Sequence, residues 1–273
     1  MWDYEDDYYE DYYSEKKERS SDKIERKAEG VVHDFFEENK ENVFFSRQVE
    51  IRHEHIFFHW ITNRAIRTLI ENGEILSETR RLKTGGDIKL LWNKNYRYYK
   101  RSATEVIKLV EEYANPNIGA ALGLHGEMMV LEGFARNQFL LLGREVNSIN
   151  NMKWEKTGHD IDLIFERDGI KYGIEVKNTL GYMDYKELLI KVEMCLHLGI
   201  KPVFVVRMLP KSWIYEVSKS GGFVLILKYQ LYPWTHSDLA NKVATNFGLP
   251  VDAPRALEEG TMERFMVYDR KNM

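Results

Sequence analysis

The sequence predicts two folded parts, an α+β part followed by an α/β part built on a mixed sheet flanked by helices. In the first half, two helical patterns precede a pair of strand-like runs joined by Gly85-Gly86. Beyond Pro116, strand-like and helical runs alternate, which is typical of α/β layer folds. A chain of 273 residues, of which 44% are hydrophobic, is long enough for two such cores.

The bulk composition limits the class of protein. No apolar run approaches the roughly 18–20 residues that span a bilayer, and the acidic, aromatic N-terminus is unlike a secretory signal. We therefore expect a soluble, cytoplasmic protein without a membrane partner. The net charge is −4, so any nucleic-acid surface must be a local basic patch. The single cysteine, Cys195, can form no internal disulfide and is predicted to be a small buried hydrophobe.

Residues 1–20 are predicted to form a disordered acidic tail. Within it, residues 1–15 contain seven acidic residues and five tyrosines but no basic residue, and they follow neither a helical nor a strand period. Two roles remain open for the tail. It could be an inert solubilising segment, or it could mimic a polyanion and cover a basic groove.

Residues 21–115 are predicted to form the first domain. Periodicity and turn signals predict helices over 22–40, 55–72 and 103–114, and strands within 74–82 and 87–100. The two strands are joined by a Gly-Gly turn, which is typical of a hairpin. Two helices followed by a basic hairpin is the layout of a winged helix-turn-helix, so this domain is predicted to bind DNA.

The predicted DNA-contacting residues fall into two groups. The second helix is expected to expose one group and the hairpin the other, because basic side chains interleaved with tyrosines suit phosphate and groove contacts. The two groups are Thr62, Asn63, Arg64 and Arg67, and then Arg80, Arg81, Lys94 and Arg97. A solvated charged face and a protein-binding winged helix are the alternatives.

Two further patterns favour unremarkable structure. His53, His55 and His59 lie close together, but their spacing differs from the zinc-binding H-E-x-x-H pattern, so they are interpreted as helix surface or DNA contacts. The glycine-rich residues 119–126 lack the Lys-Ser/Thr of a phosphate-binding loop. They are predicted to be a turn that leads into the next helix.

Residues 116–273 are predicted to form the α/β domain. The expected helices are 126–139, 184–198 and 210–219, and the expected strands are 143–149, 161–166, 170–177, 202–207 and 222–228. One short helix is expected within 235–273.

The chemistry is concentrated on one predicted hairpin. Asp168-Gly169 joins its two strands, Asp162 begins the first strand, and Glu175 and Lys177 end the second. Residues i and i+2 of a strand share a face about 6.5–7 Å apart, so Glu175 and Lys177 point the same way, while the Val176 side chain points into the core. The hairpin brings Asp162 close to Glu175. Two carboxylates with a backbone carbonyl, which we assign to Val176, form a hard oxygen site for Mg²⁺ or Mn²⁺.

This D-x(12)-E-x-K hairpin resembles the PD-(D/E)XK nuclease superfamily, which includes restriction endonucleases and archaeal Holliday-junction resolvases. The preceding run HGEMMVLEGFARNQFLLLGREVNSIN resembles the first helix and strand of that family. The following run KELLIKVEMCLHLGIKPVFVVR resembles the helix and strand after the E-x-K. The resemblance covers about residues 118–230 and implies a restriction-endonuclease-like fold.

The resemblance also implies a set of site residues. It places Glu127 in the metal site beside Asp162 and Glu175, and it makes these three residues and Lys177 the catalytic set. No proline precedes the aspartate, and Asp160 competes for its role. Asp162 has the expected spacing to Glu175, so Asp160 is assigned a supporting role.

The expected function is that of a Mg²⁺- or Mn²⁺-dependent DNA endonuclease of the restriction, repair or junction-resolving type. Its expected partner is duplex or branched DNA, and a homodimer is expected by analogy because two strands must be cut. Two alternatives remain open. One is a non-catalytic winged-helix regulator that carries a degenerate nuclease fold, and the other is cleavage of RNA.

Overall fold

The computed structural model describes residues 21–149 and 151–272, so the predicted tail over 1–20 lies outside the described residues. The chain divides into two compact units. The first contains the described residues up to Ile118 together with Lys242–Leu249. The second contains Gly119–Asn241 and the chain from Pro250 onward. The assignment of a DNA-binding domain to 21–115 and a nuclease domain to 116–273 stays a prediction.

The first unit combines a small sheet with four helices among its described elements up to Tyr113. In chain order they are α1 (Ser21–Glu38), β1 (Val43–Phe45), α2 (Ser46–His53), α3 (His59–Glu71), β2 (Ile75–Arg81), β3 (Asp87–Asn93) and α4 (Tyr99–Tyr113). The strands form an antiparallel sheet in the order β1-β3-β2. Apolar side chains from α1, β1, α3 and β3, including Phe36, Phe44 and Leu91, pack together in its core.

A segment from near the C-terminus completes this unit. The carbonyl of Phe247 accepts hydrogen bonds from Nε2 of Gln48 at 3.1 Å and from Nε of Arg52 at 2.9 Å. The Phe247 ring meets the Phe45 ring edge-on, with their centroids 5.1 Å apart. Gln48 is buried, so this carbonyl satisfies an amide that water cannot reach.

The structure corrects three predictions in this unit. The helix predicted over 55–72 begins only at His59, because residues 54–58 form a turn. The short β1 and α2 were not predicted. The helix predicted over 103–114 begins at Tyr99, whose ring stacks on Trp92 with their centroids 4.0 Å apart.

The histidines do not share one helix. His53 ends α2, His55 lies in the turn and His59 begins α3. His53 and His59 are buried, and their rings hydrogen bond with the carbonyl of Val49 at 2.7 Å and with the Glu54 carboxylate at 3.1 Å. The surface interpretation is therefore wrong for these two residues, whereas His55 is exposed.

The second unit is built on a five-stranded sheet. Its helices are α5 (Pro116–Arg136), which begins in the first unit, α6 (Tyr185–His197), α7 (Lys211–Lys219), α8 (Ser237–Phe247), which ends in the first unit, and α9 (Glu259–Asn272). Its strands are β4 (Leu140–Val146), β5 (Ser148–Ile149), β6 (Met152–Lys153), β7 (Ile161–Arg167), β8 (Ile170–Lys177), β9 (Lys201–Val206), β10 (Phe223–Ile226), β11 (Gln230–Leu231) and β12 (Val251–Asp252). A short 3-10 helix, Trp234–His236, precedes α8.

The sheet is mixed, with strand order β10-β9-β8-β7-β4. β8, β9 and β10 are parallel, whereas β4, β7 and β8 are antiparallel neighbours. Phe134 of α5 and Phe265 of α9 pack on one set of strand side chains, and Met194 and Cys195 of α6 pack on another. This confirms the predicted α/β class, a mixed sheet flanked by helices, and is consistent with a restriction-endonuclease-like fold. The burial of Cys195 is also confirmed.

Two predictions in this unit are wrong. Helix α5 begins at Pro116, so the glycine-rich residues 119–126 lie inside a helix and do not form a turn. The C-terminal region holds two helices, α8 and α9, where one was expected. Among the described residues, no helix is long and apolar enough to cross a membrane.

Candidate active site

The site lies at the open end of the β7–β8 hairpin. Asp168 and Gly169 both have positive φ, +51° and +79°, as a tight two-residue hairpin turn requires. The pairing continues to Leu163 opposite Ile174. Beyond that pair, a side chain replaces the backbone as the hydrogen-bond acceptor. Oδ2 of Asp162 accepts a hydrogen bond from the backbone N–H of Val176 at 2.7 Å. The turn thus fixes Asp162 against the strand that carries Glu175.

Glu175 is buried between two ammonium groups. Its Oε2 lies 2.5 Å from Nζ of Lys191, and its Oε1 lies 3.3 Å from Nζ of Lys177. Burial, reinforced by the charge of Asp162, raises the pKa of Glu175 to about 7, while the two lysines act in the opposite direction. A positive charge beside Glu175 therefore offsets part of the free-energy cost of burying its ionised carboxylate next to Asp162.

Lys177 is held by a short chain of contacts. Asp184 caps helix α6 by accepting the Glu187 N–H at 2.8 Å. Glu187, fixed in this first turn, accepts a hydrogen bond from Nζ of Lys177 at 2.8 Å. Burial lowers the pKa of Lys177, but the carboxylates of Glu175 and Glu187 outweigh it, so the pKa lies above its usual range. The Lys177 side chain is thereby kept as a fixed cation.

Sequence reasoning missed Lys191. It lies on the buried side of α6, and its ammonium also donates to the backbone carbonyl of Asp160 at 2.6 Å. Asp160 therefore contacts Lys191 through its backbone carbonyl, whereas its side chain is exposed, and its supporting role stays a prediction. The available signal was the position of Lys191 four residues after Glu187 and between the apolar residues of an amphipathic helix.

Glu127 stands apart from the other two carboxylates. Its Oε2 lies 3.3 Å from Nη2 of Arg144, in an ion pair that is partly exposed. Burial raises the pKa of Asp162, and the charge of Glu127 adds to this rise, so the two acids are within electrostatic range. Within residues 21–149 and 151–272, no three His, Cys, Asp or Glu side chains gather closely enough to hold a metal ion. The structure thus brings together Asp162, Glu175 and Lys177, with Glu127 nearby.

The donor set at the hairpin fits a hard divalent cation. The carboxylates of Asp162 and Glu175 and the carbonyl of Val176 are oxygen donors, which Mg²⁺ and Mn²⁺ prefer. The orientation of Asp162 is fixed by the Val176 N–H, so the donors belong to one rigid element. The Val176 side chain lies in the core cluster, as expected for its place between Glu175 and Lys177.

Asn178 ties the end of β8 to the rest of the unit. Its Nδ2 donates to the carbonyls of Leu122 at 2.8 Å and Leu231 at 2.7 Å, and its Oδ1 accepts the Leu231 N–H at 2.7 Å. Gly126 of α5 lies against it, since a Cβ added there would meet the Asn178 Cβ at 2.6 Å. The glycine lets the helix that carries Glu127 approach the end of the E-x-K strand, a role that the sequence alone did not suggest.

The predicted DNA-contacting residues of helix α3 differ in exposure. Thr62 is fully buried, so the prediction that it is exposed to a duplex is wrong. Asn63 donates to Oε1 of Glu50 at 2.9 Å, and Arg64 pairs with Glu25 at 2.8 Å. Arg67 is the exposed member of this group.

The predicted hairpin residues lie at two different ends. Arg80 pairs with Glu78 at 2.7 Å, and Arg81 pairs with Asp87 at 3.3 Å beside the Gly-Gly turn. Lys94 and Arg97 are exposed in the segment after β3, at the other end of the strands. Strands of seven residues separate the ends by about 20 Å, so these four side chains do not form one cluster.

No protein-family model and no curated protein matches this chain. Three solved structures are similar over part of it. A protein of unknown function, AF1548, has 23% identity and a TM-score of 0.30, covering 38% of this chain and 56% of its own. EndoMS in complex with double-stranded DNA has 16% identity and a TM-score of 0.24, covering 56% and 60%. Can2 from Sulfobacillus thermosulfidooxidans in complex with cyclic tetra-adenylate has 10% identity and a TM-score of 0.29, covering 67% and 54%.

The chain thus spans between 54% and 60% of the length of these three proteins. At such TM-scores the similarities do not define the fold of this chain. The fold of the second unit is defined by its own strand order and by the placement of its helices.

Proposed function

We propose that the second unit hydrolyses phosphodiester bonds of DNA as a Mg²⁺- or Mn²⁺-dependent endonuclease. One observation carries this proposal. In the β7–β8 hairpin, the Asp162 carboxylate accepts a hydrogen bond from the backbone N–H of Val176, the residue after Glu175. The Lys177 ammonium contacts the Glu175 carboxylate from the same strand. Two acids and a fixed cation at one strand end suit the hydrolysis of an anionic ester.

Asp162, Glu175 and the carbonyl of Val176 would hold the metal, and Glu127 would add negative charge beside them. A bound divalent cation supplies an activated water and neutralises charge on the phosphate. The Val176 N–H keeps Oδ2 of Asp162 in place, so the carboxylate does not need to reorient on binding.

Lys177 stabilises the charge that develops on the phosphoryl oxygens. Because its pKa lies above the usual range, the side chain stays protonated and acts as a hydrogen-bond donor, not as a general base. Glu187 and its Asp184 cap hold the ammonium in position before substrate arrives.

We also propose that the first unit is a winged helix-turn-helix that binds the nucleic acid. Its order of helix, strand, two helices and hairpin, with β1 paired to β3, supports this proposal. Arg67, Arg81 and Lys89 supply exposed positive charge on α3 and the hairpin. Duplex or branched DNA is the proposed partner.

We also propose that the protein forms a homodimer, because cutting both strands of a duplex needs two active sites. Leu140, Leu141 and Leu142 are 64%, 38% and 40% exposed on β4, an edge strand of the five-stranded sheet. Exposed apolar edges favour association. Light scattering would give the mass, and Leu141→Lys is expected to shift a dimer towards monomer.

The activity test compares Asp162→Ala, Glu175→Ala and Lys177→Met with a matched control, Glu166→Gln, at the other end of β7. Duplex, branched and single-stranded DNA and RNA would be incubated with Mg²⁺ or Mn²⁺. Each site variant should lose cleavage by at least about 100-fold, and the control should cleave like the parent. By calorimetry, Lys177→Met should still bind Mn²⁺.

Three outcomes would contradict parts of this proposal. Parental rates in Asp162→Ala or Glu175→Ala would move the site elsewhere. Cleavage confined to RNA would change the substrate class. DNA binding without cleavage of any substrate would support the non-catalytic regulator instead.

A further inference from the structure

Arg144 lies beside the hairpin site on β4, an edge strand of the five-stranded sheet. It pairs across the sheet with Leu163, the residue after Asp162. Directly opposite residues of an antiparallel pair have Cα atoms about 4.5–5.5 Å apart. This register places Arg144 one residue along the sheet from a proposed metal ligand.

Three cations contact acids of the candidate site, and they differ in how firmly they are held. Lys177 and Lys191 each contact Glu175 and one further acceptor. Arg144 is the most exposed of the three, at 42%. Among the described residues, Glu127 is its one ion-pair partner, at 3.3 Å. An exposed ion pair contributes little to stability, so Arg144 can change its partner at a small free-energy cost. Each of the two lysines would lose two contacts.

Glu127 interacts both with Arg144 and with the other acids of the site. Its Oε2 accepts a hydrogen bond from Nη2 of Arg144, and it lies within electrostatic range of Asp162. A phosphate that binds beside Asp162 would therefore be repelled by Glu127 and attracted by Arg144. A guanidinium presents a planar set of N–H donors that can bind two phosphate oxygens at once. Glu127 and such a phosphate thus compete for the same donors.

We propose that Arg144 binds a phosphate of the nucleic acid at the hairpin site and exchanges Glu127 for that phosphate. Glu127 is then a competitor of the substrate, because it occupies the donors that the phosphate needs. Removing this competitor strengthens phosphate binding mainly when Arg144 is present to use its donors. This inference rests on the proposed function, which places the nucleic acid at this site, but it requires neither cleavage nor a bound metal.

The test is a double-mutant cycle on the full chain in chelator-containing buffer, with whichever of a short duplex and a branched DNA the parent binds more tightly. Arg144→Gln should weaken binding and reduce the log–log salt slope by about 0.9, the loss of one phosphate contact. Glu127→Gln should tighten binding. This gain should be at least about threefold larger with Arg144 present than in the Arg144→Gln background, so the two changes do not add. Arg144→Lys keeps a cation and should recover part of the affinity.

A second exposed ion pair on α5, Glu132 with Arg136, provides the matched control. Glu132→Gln and Arg136→Gln should have additive effects on DNA affinity. The proposal is overturned by additive effects at Glu127 and Arg144, by coupling of equal size in the control pair, by an unchanged salt slope in Arg144→Gln, or by the absence of DNA binding. Additive effects in a protein that cleaves DNA would overturn this inference alone. Coupling in a protein that cleaves no substrate would support it and contradict the nuclease proposal.

Discussion

Nζ of Lys191 lies 2.5 Å from Oε2 of Glu175, and both side chains are almost wholly buried, at 5% and 3% exposure. Neither charge can be solvated if the other is removed. A buried ion pair of this kind is not in itself strong evidence for stability, but removing Lys191 leaves the buried carboxylate with Lys177 as its one cationic contact among the described residues.

We therefore expect Lys191→Met to destabilise the metal-free protein by about 3–5 kcal/mol. Adding Glu175→Gln to this variant should recover most of the loss, because it removes a buried carboxylate that Lys177 alone would otherwise neutralise. Unfolding in chelator-containing buffer measures both variants, with Lys186→Met, an exposed lysine of the same helix, as the control. An unchanged midpoint for Lys191→Met would contradict the buried pair.

The close approach of α5 to Asn178 predicts opposite effects for two glycines. At Gly126, an added Cβ would lie 2.6 Å from the Asn178 Cβ, so Gly126→Ala should cost about 1–3 kcal/mol. At Gly123, nothing lies within 4 Å, so Gly123→Ala should stabilise the helix by up to about 1 kcal/mol. Thermal unfolding of the two variants measures the contrast. Equal shifts would show that the approach to Asn178 is not tight.

These residues also mark where sequence reasoning works. The Asp-Gly turn and the alternation on both sides of it are local signals, and they predicted β8 with its observed bounds, 170–177. For Lys191 the local signal, its place among the apolar residues of α6, does not identify the partner, because the carboxylate that it contacts is supplied by another element. The glycine-rich start of α5 runs against helix propensity and forms part of a helix that packs against Asn178. β1 and α2 are too short for a period to emerge.

The environment of His53 predicts a pH dependence of the first unit. Burial lowers the pKa of His53, and the charges of His55 and Arg52 act in the same direction. The unfolded chain then binds a proton more readily than the folded one. Stability should be constant above about pH 6.5 and should fall as the pH falls below it.

His53→Gln keeps a donor for the Val49 carbonyl and should show a weaker acid-side loss of stability than the parent. His55→Gln, at an exposed neighbouring position, should keep most of the parental dependence. Urea unfolding between pH 5 and 8 compares the three proteins. Parallel curves for the parent and His53→Gln would assign the effect to other groups.

The two ends of the β2–β3 hairpin predict different roles in DNA binding. Thr79 and Lys89 pair across the hairpin, and both line a pocket that Arg67 of α3 also lines. Arg81 lies two residues beyond Thr79, on the same face of the strand. Arg81→Gln should therefore weaken duplex binding and reduce the log–log salt slope by about 0.9. Lys94→Gln, at the far end, should leave the slope unchanged. Affinity at several salt concentrations measures both variants, and the reverse pattern would place the contact at the Lys94 end.

The carbonyl of Phe247, which accepts hydrogen bonds from Gln48 and Arg52, constrains how this protein can be dissected or recombined. A fragment that ends at Ile118 would lack the acceptor for a buried amide of its own unit. A chimera made by a single crossover after the N-terminal half would therefore lack part of the first unit. Any chimera that includes the first unit must also include residues 242–249, which follow most of the second unit in the sequence.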